Sequence, residues 1–259
     1  MLLGLPLGGG FARGLAHIGV LNVLEQNNIP VRCIVAAGNA MRFSDVARWT
    51  IGRMGIAGSD RMERVLRKLL KRYSFEQMRI PLGVVATGMV TGAAVISRDR
   101  GDAVLPIRAS CSYPGLFHPV RCGDHLLVDG AIGMEVPALP ARMLVASHAI
   151  SLHPPMPGAA WMPTNMFHVI NRCFRILHSR TEITWRQHSG LVIEPDVRGM
   201  EWDAFGSATQ LIKAGEKAAR QAPPRIHGWI GPPANLDRHA VAPATGSNRV
   251  RYLPERFGL

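Results

Sequence analysis

Two stretches of the chain have residue types and spacing that could do chemistry. The first is Gly8-Gly9-Gly10-Phe11-Ala12-Arg13-Gly14. It follows the apolar run Leu2–Leu7 and precedes Leu15, Ile18, Leu21 and Leu24, which stand at helical spacing. A glycine run between a strand and a helix presents bare backbone N–H groups at the positive end of that helix. Such a place holds an anion, either a phosphate or the oxyanion of acyl transfer. A dinucleotide fingerprint does not fit, because Arg13 stands where the third glycine belongs. A phosphate loop does not fit either, since Arg13-Gly14-Leu15 replaces Gly-Lys-Ser/Thr. The second stretch is Leu126-Leu127-Val128-Asp129-Gly130-Ala131. Here an apolar strand delivers a carboxylate to its end, where α/β proteins keep their chemistry. A carboxylate so placed serves as general base toward a nearby hydroxyl. Asp-Gly by itself is also a common turn.

These residues need a frame to hold them. Short apolar runs predict buried strands at Leu2–Leu7, Cys33–Ala37, Leu82–Ala86, Leu126–Val128, Met143–Ala146 continuing as Ala149–Leu152, and Leu191–Ile193. Helical patterns cover Leu15–Gln26, Arg61–Arg72, Asn165–Arg186 and Phe205–Gln221. Alternating strands and helices predict an α/β fold of three layers, with a mainly parallel central sheet covered on both faces. Pro154, Pro155, Pro157 and Pro163 mark a loop. Beyond residue 221 the composition turns to Pro, Gly, Arg and Asn without periodicity. The expected organisation is one domain over residues 1–221 and a loosely ordered Pro/Arg-rich tail over 222–259.

Composition narrows the function classes. The net charge is +12, from 30 Lys plus Arg against 18 Asp plus Glu. That suits an anionic partner, such as acidic lipid head groups at a membrane surface. Nucleic acid is not expected: it rests on charge alone, and an aromatic content of 6% offers little for base stacking. Cys33, Cys111, Cys122 and Cys173 form no paired spacing and read as reduced thiols in a cytoplasmic setting. His118, Cys122 and His125 lie near the Asp129 strand, but their spacing matches no zinc pattern, so neither metal nor cofactor is expected. No apolar stretch reaches the roughly 18 residues of a membrane span. The apolar N-terminus lacks the basic region of a signal peptide. The basic face of Arg61–Arg72 reads first as a solvated surface, with membrane contact as the sharper alternative.

Taken together, the glycine run and Asp-Gly-Ala resemble the patatin-like phospholipase family. Gly8–Gly14 with Ala16-His17-Ile18-Gly19-Val20-Leu21 is similar to the family's opening segment. Phe75–Met78, Ile80-Pro81, Val85-Ala86-Thr87 and Thr91-Gly92 resemble its central strand region. Ile107–Val120 resembles the segment leading to the catalytic Asp, and Glu194-Pro195-Asp196 with Ala214-Gly215-Glu216 resembles its C-terminal end. The resemblance covers residues 2–221. It implies a serine hydrolase of lipid esters with a Ser-Asp dyad and no histidine, the Ser on a Gly-x-Ser-x-Gly elbow between strand and helix. Carried over, Asp129 is the general base, and Gly8, Gly9 and Gly10 form the oxyanion hole. Arg13 and Gly14 support the loop, and His17 is a packed histidine.

The sequence departs from this pattern at the elbow. After the strand Cys33–Ala37 stands Ala36-Ala37-Gly38-Asn39-Ala40-Met41-Arg42. Aligned on its glycine, Ala40 takes the nucleophile position and Arg42 that of the second glycine. An ungapped alignment from Ile29-Pro30 puts Gly38 at the nucleophile position instead. Neither supplies a hydroxyl, so no acyl-enzyme can form. Ser44 lies one helical turn past Ala40, too far to substitute. The expectation is a hydrolase-type site for lipid or phospholipid esters with little or no turnover. The alternative is a non-catalytic protein that binds lipid, acyl chains or an anionic membrane at the inner membrane face.

Overall fold

The computed structural model describes residues 2–38, 47–52, 54–70, 74–144, 147–154, 162–201, 203–230 and 251–252. Its first strand, β1 (Leu3–Leu7), is buried along its whole length. A continuous apolar run of this kind suits a parallel strand covered on both faces. On one side β1 pairs in parallel with β2 (Val31–Ala37), Leu7 opposite Ala36. The main sheet also holds β5 (Leu82–Gly88), β6 (Ala94–Arg98), β8 (Val120–Cys122), β9 (His125–Val128), β10 (His148–Leu152), β11 (Leu191–Ile193) and β12 (Arg251–Tyr252). Five strands, in the order β11-β10-β1-β2-β5, run in parallel. β6, β9, β8 and β12 extend them in antiparallel fashion. The C-terminal ends of β1, β2 and β10 therefore open onto one edge, where Gly8, Gly38 and His153 follow directly.

Helices cover both faces. On one, Leu3, Leu5 and Leu7 pack with Val20, Val23 and Leu24 of α1 (Ala16–Gln26) and with Ala219 of α7 (Ala208–Ala219). The backbones of α1 and α7 touch. A Cβ on Gly19 would run into the Ile212 carbonyl, and one on Gly215 into the Ala16 carbonyl. On the other face, Val35, Ala37 and Val85 pack against Ala141 of α5 (Ala138–Leu144). The helix α3 (Val104–Ser110) covers the antiparallel end through Ala109, which packs with Val120 and Leu127.

Two expectations are corrected. Met143 and Leu144 end helix α5, and the strand begins at His148, so Met143–Ala146 is no strand over its described residues. A four-residue apolar run fits a helix end as well as a strand, and Met143 faces solvent. Residues 222–230 are not loose tail but α8 (Ala222–Ile230), with Ile226 fully buried in the core beside α1. Pro223 and Pro224 fall in its first turn, where no backbone N–H is needed. After the elbow the chain forms a hairpin of β3 (Arg48–Gly52) and β4 (Gly55–Gly58), which β7 (Gly115–Phe117) joins in a small separate sheet. The helix expected over Arg61–Arg72 is α2 (Asp60–Leu69). Its Arg67 bonds to Glu63 and Asp102, so that cation is already matched.

Candidate functional site

Asp129 ends β9 and caps α4 (Gly130–Gly133), its Oδ1 accepting from the Ala131 N–H at 2.8 Å. Its own N–H donates to the Ser112 carbonyl at 3.0 Å. The Thr87 hydroxyl donates to the Asp129 carbonyl at 2.7 Å and accepts from the Gly133 N–H at 3.0 Å. Thr87 of β5 and the loop residue Ser112 thus fix the backbone, while the carboxyl group points into a buried space. Burial pushes its pKa up to about 7, against the single Ala131 hydrogen bond that lowers it. A carboxyl that changes charge near neutral pH is matched to general-base work.

The residue opposite Asp129 is Gly38. It stands at the end of β2 with φ +53°, a left-handed conformation that favours glycine. A Cβ built on it would lie 2.6 Å from Asp129 Oδ1 and 3.0 Å from Oδ2. Its N–H donates to the Ser110 hydroxyl at 3.0 Å. A side chain at position 38 would leave a strand end in a strained turn and point straight at the buried carboxyl, the arrangement of a nucleophile elbow. Ala40, Arg42 and Ser44 lie outside the described residues. Of the two alignments at the elbow, the ungapped one therefore has a geometric counterpart.

The glycine run differs from expectation. The Gly8 N–H donates to the Leu152 carbonyl at 2.9 Å, and the Gly9 N–H to the Glu135 carbonyl at 3.2 Å. Both are committed to holding the loop on β10 and the segment after α4, so neither is free for an oxyanion. Gly10 has no acceptor for its N–H among the described residues, and it lines the same cleft as Gly38 and Asp129. Phe11 follows with φ +50°, a strained value for a side-chain-bearing residue. Its ring meets Tyr113 edge-on at 5.0 Å. Arg13 reaches away from the loop, with Nε and Nη2 donating to the Met200 carbonyl at 3.0 and 2.8 Å. The Gly14 carbonyl accepts from the Ala16 N–H where the chain enters α1.

One wall of the cleft escaped sequence reasoning. The long helix α6 (Met166–Gln187) contributes His168, Asn171, Phe174 and His178, spaced three or four residues apart on one face. Polar residues recurring at that interval were the available signal. Phe174 meets Tyr113 edge-on at 5.1 Å. His178 Nε2 lies 2.9 Å from the Ala131 carbonyl, so this nitrogen carries the hydrogen. Its Nδ1 lies 3.4 Å from Glu135 Oε1, and His153 Nδ1 lies 3.8 Å from the same oxygen. Glu135 Oε2 accepts from Trp185 Nε1 at 3.2 Å. Burial raises the Glu135 pKa and lowers those of both histidines, which favours an uncharged cluster. His17, beside His153, is pushed down to about 4 by burial and hydrogen-bonds the Leu152 backbone, so it stays neutral. His118 Nε2 lies 3.0 Å from the Gly55 carbonyl rather than in a metal site, and the described residues hold no metal-competent cluster.

Comparison with known proteins finds relatives of this chain. The family model described as patatin-like phospholipase matches residues 37–142, which include Gly38 and Asp129. By that match, residues 37–142 are patatin-like. An uncharacterized NTE family protein of Mycobacterium tuberculosis is 28% identical over 271 residues, covering 85% of this chain and 46% of its own length. A lysophospholipase of Cryptococcus neoformans is 29% identical over 168 residues, covering 54% of this chain and 10% of its own. The chain thus spans about half or less of the curated relatives it matches. The crystal structure of VipD from Legionella pneumophila shares the fold, with a TM-score of 0.55 at 10% identity over 86% of this chain and 67% of that one. The matched family is one of lipid hydrolases of the phospholipase type. No helix among the described residues is long and apolar enough to cross a membrane.

Proposed function

We propose that the cleft is a phospholipase-type acyl-ester site whose nucleophile position, residue 38, is vacant, leaving a domain that binds lipid acyl groups with little or no turnover. One observation carries this reading: a Cβ on Gly38 would lie 2.6 Å from the buried carboxyl of Asp129. Glycine offers no oxygen for covalent catalysis. The aromatic wall of Phe11, Tyr113 and Phe174 gives an acyl chain an apolar seat.

The chemistry the remaining groups would support is specific. With Ser at position 38, its Oγ would attack the acyl carbonyl while its proton passed to Asp129. The Gly10 N–H would face the oxyanion. The leaving alkoxide would recover the proton from Asp129, and water would then release the acyl group by the same base. Serine at φ +53° costs about 1 kcal/mol of strain, within what such elbows tolerate. The Asp129 carboxyl, the end of a side chain, has to move by more than half an ångström to accept the new hydroxyl.

The test is hydrolysis of a short-chain p-nitrophenyl ester by the wild type, Asp129→Asn, Gly38→Ser, Gly38→Ser with Asp129→Asn, and Ala40→Ser with Arg42→Gly. Turnover only in the Gly38→Ser protein is expected. Wild-type turnover that disappears with Asp129→Asn would overturn the vacancy. Activity gained by Ala40→Ser with Arg42→Gly, and not by Gly38→Ser, would move the vacancy to position 40.

A further inference from the structure

Helix α6 turns a second face to solvent, and that face is apolar. Met166 is 58% exposed, Val169 49%, Ile176 46% and Ile183 71%, with Leu177 beside them at 39%. Positions 166, 169, 173, 176, 180 and 183 recur every three or four residues and so form one line along the helix. A helix of 22 residues is about 33 Å long, so the line is far more than a scattered exposed side chain. Charge is distributed unevenly around it. The helix carries Arg172, Arg175, Arg180 and Arg186 against the single acid Glu182, which pairs with Arg186. Arg172 and Arg180 have no ion-pair partner among the described residues.

We infer that the outer face of α6 seats the domain on an anionic lipid bilayer. An apolar stripe flanked by arginines is the composition that lies in a membrane interface, with aliphatic side chains among the acyl chains and cations at the head groups. A second copy of the chain is the poorer occupant, because Arg180 interrupts the stripe and would meet the partner's arginines. The net charge of +12 draws the whole molecule to the same surface. Position adds a further reason: His168, Asn171 and Phe174 on the neighbouring face of this helix line the cleft. Seated this way, the cleft mouth meets the lipid layer at its edge. Only this last point rests on the lipid-ester reading of the cleft.

The experiment is co-sedimentation of the full chain with vesicles of phosphatidylcholine, alone or mixed with phosphatidylglycerol. Binding to the mixed vesicles, weakened by salt, is expected. Ile176→Glu with Ile183→Glu should lower the bound fraction at least about tenfold and leave the far-ultraviolet circular dichroism unchanged, both side chains being exposed. Leu69→Glu, at an exposed apolar position on α2, should bind as the wild type does. Absence of wild-type binding to the mixed vesicles would overturn the inference. So would equal loss in Leu69→Glu, or a dimer in sedimentation velocity that the double variant splits. Hydrolysis of a soluble ester by Gly38→Ser does not need this face, so that assay separates failure of the docking surface from failure of the cleft.

Discussion

At the scale of single residues, Asp129 links stability to pH. Its folded pKa is about 7, raised by burial, against an ordinary value of about 4. Between these values the folded state binds more protons than the unfolded one, so stability falls as pH rises through that window. Asp129→Asn keeps an oxygen for the Ala131 N–H and removes the buried charge. Its Tm should exceed that of the wild type at pH 8, and the difference should shrink towards pH 5, as thermal melts at the two pH values will show. In a Gly38→Ser protein the base must be ionised, so ester hydrolysis should rise with pH through an inflection near 7. Position 38 supplies a stability comparison. Gly38→Ala brings the same Cβ against the carboxyl without a donor, and should be about 1 kcal/mol less stable than Gly38→Ser in urea titrations. The buried carboxyl of Asp129 was legible in the sequence because an apolar strand ran straight into Asp-Gly. The Glu135–His178 pair was not, because those residues meet only once α6 has packed.

Among elements, close approach of helices decides more than composition. The backbones of α1 and α7 touch through Gly19 and Gly215, so the sequence between them has no say in that spacing. Gly215→Ala forces α7 off α1 and should cost upwards of about 2 kcal/mol in thermal or urea unfolding. Gly206→Ala meets nothing within 4 Å and should leave the Tm within a degree or two. Strands buried on both faces were legible as unbroken apolar runs, β1 above all. Met143–Ala146 misled because four apolar residues carry no period that separates a helix end from a strand. The hairpin after the elbow gave no periodic signal either, since its strands are short and glycine-bounded.

For the molecule as a whole, the parallel sheet gathers the ends of three strands at one edge, and everything chemically notable follows from that edge. The class of fold was legible because strands and helices alternate along the chain. The boundary at residue 221 was misread because Pro223 and Pro224 look like loop, though a helix's first turn accepts them. This sets a prediction for truncation. Removing residues 222–259 uncovers the pocket filled by Ile226, which is 0% exposed. It should destabilise the domain by about 2 kcal/mol or more beyond removal of 231–259, measured by urea unfolding of the two shortened chains.

The tie from Arg13 to the Met200 carbonyl spans 187 residues. Gly8 and Gly9 rest on carbonyls of Leu152 and Glu135. The glycine loop therefore leaves the ribosome well before its supports, which arrive one by one as residues 135, 152 and 200 emerge. At roughly 5–20 residues per second, it waits on the order of ten seconds or more for its final brace. A nascent chain leaves the Gly9 N–H without its acceptor until residue 135 emerges, the Gly8 N–H until residue 152 and the Arg13 guanidinium until residue 200, with the apolar β1 just before them. Its demand for chaperones is therefore expected to peak before residue 200 emerges and to fall once Arg13 has its acceptor.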